Sequence, residues 1–271
     1  MKLIRYENQA CNIDPEILKR DEFCFSVLAR ILQGECKLTI TDHKRLIICF
    51  SCEPYPVWVW LAEDATDAEL ELAYTTVRDN FPIGENCRIN LKHELSEFFI
   101  NRARADGYQL KITMNLLTYS CPSPIAPRRI VDGECRVATL DDLKATVQYM
   151  HDFRIDVGAD QTDMNTYEKR ARELIDDGRL FFWCDENGER VAMTSYGISS
   201  GKGSLSNVYT LPDKRRRGYA SNLAYAVTLI IKSSGYLPVL YADADYVASN
   251  ACYESIGYIK MGGLCTIGCP S

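Results

Sequence analysis

Two short phrases in the C-terminal half combine residue types that could do chemistry. The first is Arg215-Arg216-Arg217-Gly218-Tyr219-Ala220-Ser221, which follows a strand-like run ending Val208-Tyr209-Thr210-Leu211-Pro212. A helix is expected to begin near Gly218. The first backbone N–H groups of a helix have no internal acceptor, and its dipole places partial positive charge there. Glycine at 218 removes a side chain that would hold a pyrophosphate away from the backbone, and small Ala220 permits the same approach. The same residues also fit a solvated basic turn before an ordinary amphipathic helix.

The second phrase, Ser249-Asn250-Ala-Cys252-Tyr253-Glu-Ser-Ile-Gly257-Tyr258, begins some thirty residues later. On a helix, Asn250 and Tyr253 are three apart and share a face. A tyrosine hydroxyl there can give a proton to a departing thiolate. With a thiol pKa of ~8.5 and a tyrosine pKa of ~10, that transfer is close to thermoneutral. Asn250 offers an amide to a bound ligand. Taken alone, Tyr253 also fits a packed helix aromatic and Asn250 an N-cap.

The elements that must position these residues follow from periodicity and punctuation. Downstream of residue 132 the expected order is strand (135–140), helix opened by a Thr139-Leu-Asp-Asp capping box, helix (163–176) stopped at Gly178, and strand (179–184). An Asp185-Glu-Asn-Gly turn leads to strand 190–198, then strand 204–210, helix 219–234, strand 239–242, helix 249–255 and a last strand from Tyr258. This β-α-α-β-β-β-α-β-α-β order is that of an α/β (α+β) fold, a mixed sheet covered by helices.

With these elements in place, residues 135–264 resemble the GNAT N-acetyltransferase superfamily. The resemblance rests on the strand phrase Val208-Tyr-Thr-Leu-Pro, the signature Arg215-x-x-Gly218-x-Ala220 and the late Asn250-x-x-Tyr253-x-x-x-Gly257-Tyr258 phrase, in the family's order. It implies acetyl-CoA as co-substrate and direct attack by a primary amine of a small molecule or protein. Arg216 to Ser221 would wrap the CoA pyrophosphate, with Arg215 opening the signature. Two of the four cations Lys214 to Arg217 would meet the 3′-phosphate. Val208, Tyr209 and Thr210 would pair with pantetheine, Asn250 would contact the cofactor, and Tyr253 would reprotonate the CoA thiolate. A glycine-type N-acyltransferase with a longer acyl group is a variant of this reading, and a non-catalytic acyl-CoA sensor or interaction protein is its rival. The general base is left open among Asp243, Asp245, Tyr196 and His151. Cys252 is the cysteine to check for reactivity.

The totals limit the alternatives. At 271 residues the chain is long enough for two domains, and its net charge of −6 argues against nucleic acid as a partner. No apolar run approaches the ~20 residues of a membrane span, and the N-terminus turns polar too early for a signal peptide, so a soluble cytoplasmic protein is expected. The 12 cysteines are scattered among apolar neighbours, and the one CxxC, Cys49 and Cys52, has no second pair to complete a zinc site. No metal is expected.

Three prolines between Cys121 and Arg128 read as a stiff linker at residues 121–132. The expected division is therefore an N-terminal domain (1–120), the linker, and an acetyltransferase domain (133–271). Strands at 45–51, 57–62 and 108–117 and helices at 67–79 and 92–106 are expected in the first domain. Its Ala105-Asp-Gly107-Tyr108 echoes Ser255-Ile-Gly257-Tyr258, whereas Asp64-Ala-Thr-Asp-Ala-Glu opens its helix with acid and no glycine. Two GNAT-like halves in tandem, the first degenerate, is the expected architecture; an unrelated α+β domain is the alternative.

Overall fold

A computed structural model describes residues 2–85, 87–158 and 162–269, and these form two compact units. The first unit takes residues 1–118, 243–245 and those from Met261 onward; the second takes 119–242 and 246–260.

In the first unit, strands β1 (Ile4–Ala10), β2 (Glu35–Thr41), β3 (Leu46–Phe50), β4 (Val57–Leu61) and β5 (Arg88–Leu91) lie side by side in that order. They are joined by the outer part of β12 (Ile259–Gly268) and by β6 (Lys111–Ser120). Helices α1 (Ser26–Ile31), α2 (Asp67–Asn80) and α3 (His93–Ala105) accompany them. The β3 and β4 runs Leu-Ile-Ile-Cys-Phe and Val-Trp-Val-Trp-Leu are buried throughout, as unbroken β-branched and aromatic runs should be. Tyr74, Phe99, Leu46 and Ile89 lie at the centre of this core.

The second unit has the element order expected from the sequence: β7 (Glu134–Val137), α4 (Leu143–Asp156), α5 (Met164–Asp176), β8 (Leu180–Cys184), β9 (Arg190–Ser199), β10 (Lys202–Thr210), α6 (Tyr219–Ser233), β11 (Leu237–Asp243) and α7 (Val247–Ser255). Its strands are ordered β11-β10-β9-β8-β7, with β10 parallel to β11 and the other pairs antiparallel. The two units are thus mixed sheets with flanking helices. The Asp185–Gly188 turn is present, but of its Asn-Gly pair only Gly188 takes positive φ. Asp185 Oδ1 accepts from the N–H groups of Asn187 and Glu189, both at 3.0 Å, so a side-chain-braced turn replaces the expected tight hairpin.

The units are not the consecutive halves that a cut at the proline segment implies. The last strand pairs antiparallel with β5, Cys265 facing Leu91 and Gly268 facing Arg88, which builds it into the first unit. Residues 121–132 are packed within the second unit. Cys121 N–H donates to the Pro238 carbonyl at 2.8 Å, Lys232 Nζ donates to Pro122 O at 2.6 Å, and Asn222 Nδ2 donates to Arg129 O at 2.8 Å. The segment expected as a linker between domains is bonded into the second unit at both of its ends. The Gly-Tyr echo also has a plain cause. Tyr108 N bonds Ala103 O and Tyr258 N bonds Tyr253 O after glycines of φ +89° and +97°, and Arg179 and Tyr236 close α5 and α6 in the same way. It is a shared helix ending rather than a mark of duplication.

One buried carboxylate fastens the start of α4. The side chain of Asp142 is 1% exposed and accepts from Arg136 at 2.8 and 2.9 Å, from Arg190 Nε at 2.5 Å and from the Thr139 N–H at 2.7 Å. The last of these completes the capping box expected at Thr139. Burial opposes its ionisation, but the bonds from Arg136, Thr139 and Arg190 outweigh it and hold its pKa below the usual carboxylate range. Asp142→Asn should lower stability by about 2–3 kcal/mol in denaturant titration, because two partly buried arginines lose their partner. The wild-type contribution is present above the unfolded carboxylate pKa and should fade as pH falls below about 4.

Candidate functional site

The Arg215–Ser221 phrase forms a loop and helix start whose backbone donors are open. Within α6 the first intrahelical bond runs from Asn222 N–H to Gly218 O at 3.2 Å. Among the described residues, none of the six N–H groups from Arg216 to Ser221 has an acceptor, and no side chain caps the helix at Gly218. Arg216 (φ +62°) and Gly218 (φ +100°) both have positive φ, which turns successive N–H groups into a concave donor set. A non-glycine residue at φ +62° is strained, and such strain is concentrated at ligand sites.

Gly218 has a packing reason beside the one its sequence suggests. A Cβ placed there would lie 3.0 Å from Val131 Cγ1 and 3.5 Å from Arg129 Cδ, the segment that packs behind the loop. The glycine is required by φ +100° and by this close packing.

The four cations of the loop divide by partner. Lys214 Nζ lies 2.6 Å from Glu189 and 3.5 Å from Asp185, which ties the loop to the β8–β9 turn. Arg215 donates Nε to Thr210 O at 3.0 Å, pairs with Asp156 at the end of α4 and lies over the Tyr209 ring. Arg217 is exposed and donates to the Asp213 carbonyl at 2.9 Å. Arg216, also exposed, has no side-chain partner among the described residues.

Next to this loop, β10 separates from its parallel neighbour. Pairing with β11 runs from Lys202–Leu237 to Leu205–Leu240, so Ser206 to Thr210 extend past the end of the ladder. A bulge between Ser206 and Tyr209, with Asn207 at φ +53°, bends the strand at the same place. Val208 and Thr210 are partly exposed, while Tyr209 is buried against Tyr149 at 5.3 Å between ring centroids. Thr210 Oγ1 is buried and has no hydrogen-bond partner among the described residues. An unsatisfied buried hydroxyl costs about 1–3 kcal/mol, and at a strand opening it marks a place where a ligand can bond. The bulge could not be read from the sequence. It is lined by Thr194 and Ser195, whose hydroxyls bond Ser206, and Asn207 Nδ2 donates to Ser195 Oγ at 2.9 Å.

Helix α7 brings Asn250 and Tyr253 onto one buried face, as their spacing predicts, although the helix begins at Val247 and Asn250 is not its N-cap. Asn250 Oδ1 accepts from Tyr119 at 3.4 Å, so part of its amide is used within the fold. The Tyr253 ring packs against Tyr258 at 5.9 Å, and Tyr258 reaches Thr228 of α6 at 2.8 Å, which ties α7 to the helix that carries the open N-terminus. The Tyr253 hydroxyl has no hydrogen bond among the described residues, and burial raises its pKa well above the usual tyrosine range. It therefore stays protonated at physiological pH and is a weaker acid than an exposed tyrosine.

Of the candidate bases, Asp243 Oδ1 accepts from the Asp245 N–H at 2.9 Å. Asp245 accepts from Asn115 at 3.0 Å within the first unit. Tyr196 is stacked on Phe181, and His151 meets the Tyr167 ring edge-on. Cys49 is buried in β3 beside Cys36, and Cys52 is exposed, so the CxxC pair does not converge. No metal-binding cluster of His, Cys, Asp or Glu occurs among the described residues. No helix among them is long and apolar enough to cross a membrane.

Comparison with known proteins agrees with this geometry. The FR47-like protein family model matches residues 185–265, which include both phrases. No curated protein matches the chain. Among solved structures, a GCN5-related N-acetyltransferase from Sphaerobacter thermophilus superposes with a TM-score of 0.67 at 13% identity, over 98% of this chain and 94% of that one. An acetyltransferase of the GNAT family from Colwellia psychrerythraea gives 0.62 at 12% identity over all of both chains. A GCN5-related N-acetyltransferase from Kribbella flavida gives 0.62 at 16% identity, over 93% of this chain and 95% of that one. At such identities the likeness is one of fold: the chain has the GNAT N-acetyltransferase fold along its whole length.

Cys252 beside Tyr253 is a poor nucleophile, because burial pushes its thiol up to about 11. At pH 8 about a thousandth of it is thiolate. Iodoacetamide labelling followed by peptide mass spectrometry should modify exposed Cys52 well before Cys252, and equal rates would show that Cys252 is activated.

Proposed function

We propose that this chain transfers an acyl group, acetyl first, from its CoA thioester to a primary amine. The observation that carries the reading is the run of six acceptor-free N–H groups from Arg216 to Ser221, beside a strand that leaves its ladder. A pyrophosphate is the anion that matches such a donor set, and an extended amide-bearing arm such as pantetheine matches the open edge at Val208 to Thr210. Arg216 and Arg217, exposed at the rim, suit the 3′-phosphate, whereas Lys214 and Arg215 are engaged elsewhere. Thr210 Oγ1 is a further contact for the bound arm.

Acetyl-CoA supplies a thioester that a neutral amine attacks directly, so no acyl-enzyme is required. The unbonded Tyr253 hydroxyl is the proton donor for the leaving sulfur. Its raised pKa makes that transfer uphill from an aqueous thiolate, and it approaches balance only where the thiolate is equally desolvated. Asn250, on the same face of α7, is the further cofactor contact of this reading, and its oxygen bonds Tyr119 within the fold. The first unit is a GNAT-like partner that has lost its own anion site, since Thr66 and Glu69 cap α2 where α6 is open.

A second reading, an acyl-CoA sensor without turnover, is favoured by two observations: Asn250 is partly occupied, and Tyr253 is a weak acid. Calorimetric titration with acetyl-CoA should show micromolar binding to the wild type and none to Gly218→Glu, whose side chain would crowd Val131 at a φ that L residues rarely adopt and so distort the donor set. Tyr253→Phe should keep that affinity and lose roughly a hundredfold or more of thioester turnover across an amine panel. Binding without turnover in the wild type would establish the sensor, and no binding would overturn both readings.

A further inference from the structure

The first residue of the Arg215-x-x-Gly218-x-Ala220 signature spends its side chain on β10 and α4. We propose that Arg215 is a positioning residue that holds the anion cradle in place through α4, and not a phosphate ligand. The inference rests on the acyl-CoA reading for the identity of the anion, while its structural content concerns the loop alone.

Three contacts converge on one planar group. The Nε of Arg215 donates to the carbonyl of Thr210, the last residue of β10, at 3.0 Å. Its Nη2 pairs with Asp156, the last residue of α4. Its guanidinium lies 5.8 Å from the centre of the Tyr209 ring, and that ring packs on Tyr149 of α4, whose hydroxyl in turn donates to Arg190 O at 2.6 Å. Arg215 and Asp156 are 36% and 40% exposed, so the ion pair by itself contributes little. What the arrangement supplies is direction. Only an arginine offers separate donors to a carbonyl and a carboxylate while stacking on a ring.

The consequence for the cradle is geometric. Arg215 itself is extended (φ −64°, ψ 160°), and the next residue enters the left-handed region at φ +62°. The strained turn that aims the six N–H groups therefore begins at a residue fixed by its side chain on one side, with Lys214 held by Glu189 just before it. Removing this anchor should let residues 216–218 relax to less costly φ values, which would disperse the donor set. Two of the five guanidinium N–H donors are held by Thr210 and Asp156, so the group cannot swing round to a phosphate without giving up these two bonds.

The test compares Arg215→Ala, Arg215→Lys, Asp156→Asn and the Arg215→Ala/Asp156→Asn double variant by calorimetry with acetyl-CoA, 3′-dephospho-CoA and S-acetyl-pantetheine. A positioning role predicts that each single variant weakens both pyrophosphate-bearing ligands by the same factor, roughly tenfold, and that the double variant is no weaker than the worse single one. Arg215→Lys should not restore affinity, because lysine cannot bridge the two acceptors, and S-acetyl-pantetheine should bind all the proteins alike. A phosphate-ligand role is shown instead if Asp156→Asn leaves affinity unchanged or improves it, if Arg215→Lys restores it, or if the loss is confined to one phosphate. Equal losses for all three ligands would mean general destabilisation and would also overturn the proposal.

Amide hydrogen exchange on the ligand-free proteins separates this inference from the acyl-CoA reading. The Lys214 and Arg215 amides, which bond Leu211 and Pro212, should exchange faster in Arg215→Ala and Asp156→Asn than in the wild type. Unchanged exchange overturns the positioning role even where acetyl-CoA binds. Absence of acetyl-CoA binding to the wild type overturns the acyl-CoA reading while the exchange result still decides the role of Arg215.

Discussion

A folded chain satisfies its backbone donors, and the start of α6 does not. Six consecutive N–H groups, from Arg216 to Ser221, reach no acceptor among the described residues. Every helix leaves its first N–H groups without internal partners, but side chains usually cap one or two of them. Here two residues of positive φ precede the helix and add their donors to its own, in the field of the helix dipole. The surroundings of the loop follow from keeping this set open and fixed. Val131 packs against Gly218 from behind, Lys214 is latched to the β8–β9 turn, and Arg215 is held between β10 and α4.

The first unit shows what the ordinary solution looks like. Its helix α2 starts at Thr66, whose hydroxyl accepts from Glu69 N–H while the Glu69 carboxylate returns to Thr66 N–H. Arg45 then pairs with Glu69 at 2.6 Å, so the acidic helix start is neutralised by a cation rather than offered to an anion. One helix start is thus closed by a capping box and the other is kept open. The difference lies in a handful of residues, Thr66 and Glu69 against Arg216 and Gly218, and not in the overall element order.

Much of this was legible in the sequence. The element order of the second unit follows from the apolar and β-branched runs of β8 to β10, the Asp185–Gly188 turn and the glycines just past the helix ends, and the Thr139–Asp142 capping box was readable as four residues. The open helix start was legible because Gly218 follows basic residues with no Ser, Thr, Asp or Asn at the cap. Other features depend on contacts between distant residues. The sequence does not tell Lys214 and Arg215, spent on Glu189 and Asp156, from Arg216, which has no side-chain partner among the described residues. The proline segment was read as a linker because proline excludes regular structure, but it says nothing of the bonds to Pro238 and Lys232 that fix it. Strands β1, β2 and β5 were not expected: β1 is exposed on both faces and carries no alternation, and β5 has only four residues. The bulge at Asn207 was not read from the sequence, because an asparagine tolerates positive φ but is equally at home in turns and caps and so does not by itself mark a bulge.

The most direct test of the central claim is residue-resolved amide hydrogen exchange with and without acetyl-CoA. In the free protein the Arg216 to Ser221 amides should exchange near the rate of an unstructured chain, because they have no acceptors. Saturating acetyl-CoA should slow these amides together, while the capped start of α2 at Thr66 to Glu69 stays unchanged. Protection that leaves 216–221 untouched, or slow exchange there without ligand, would contradict the account.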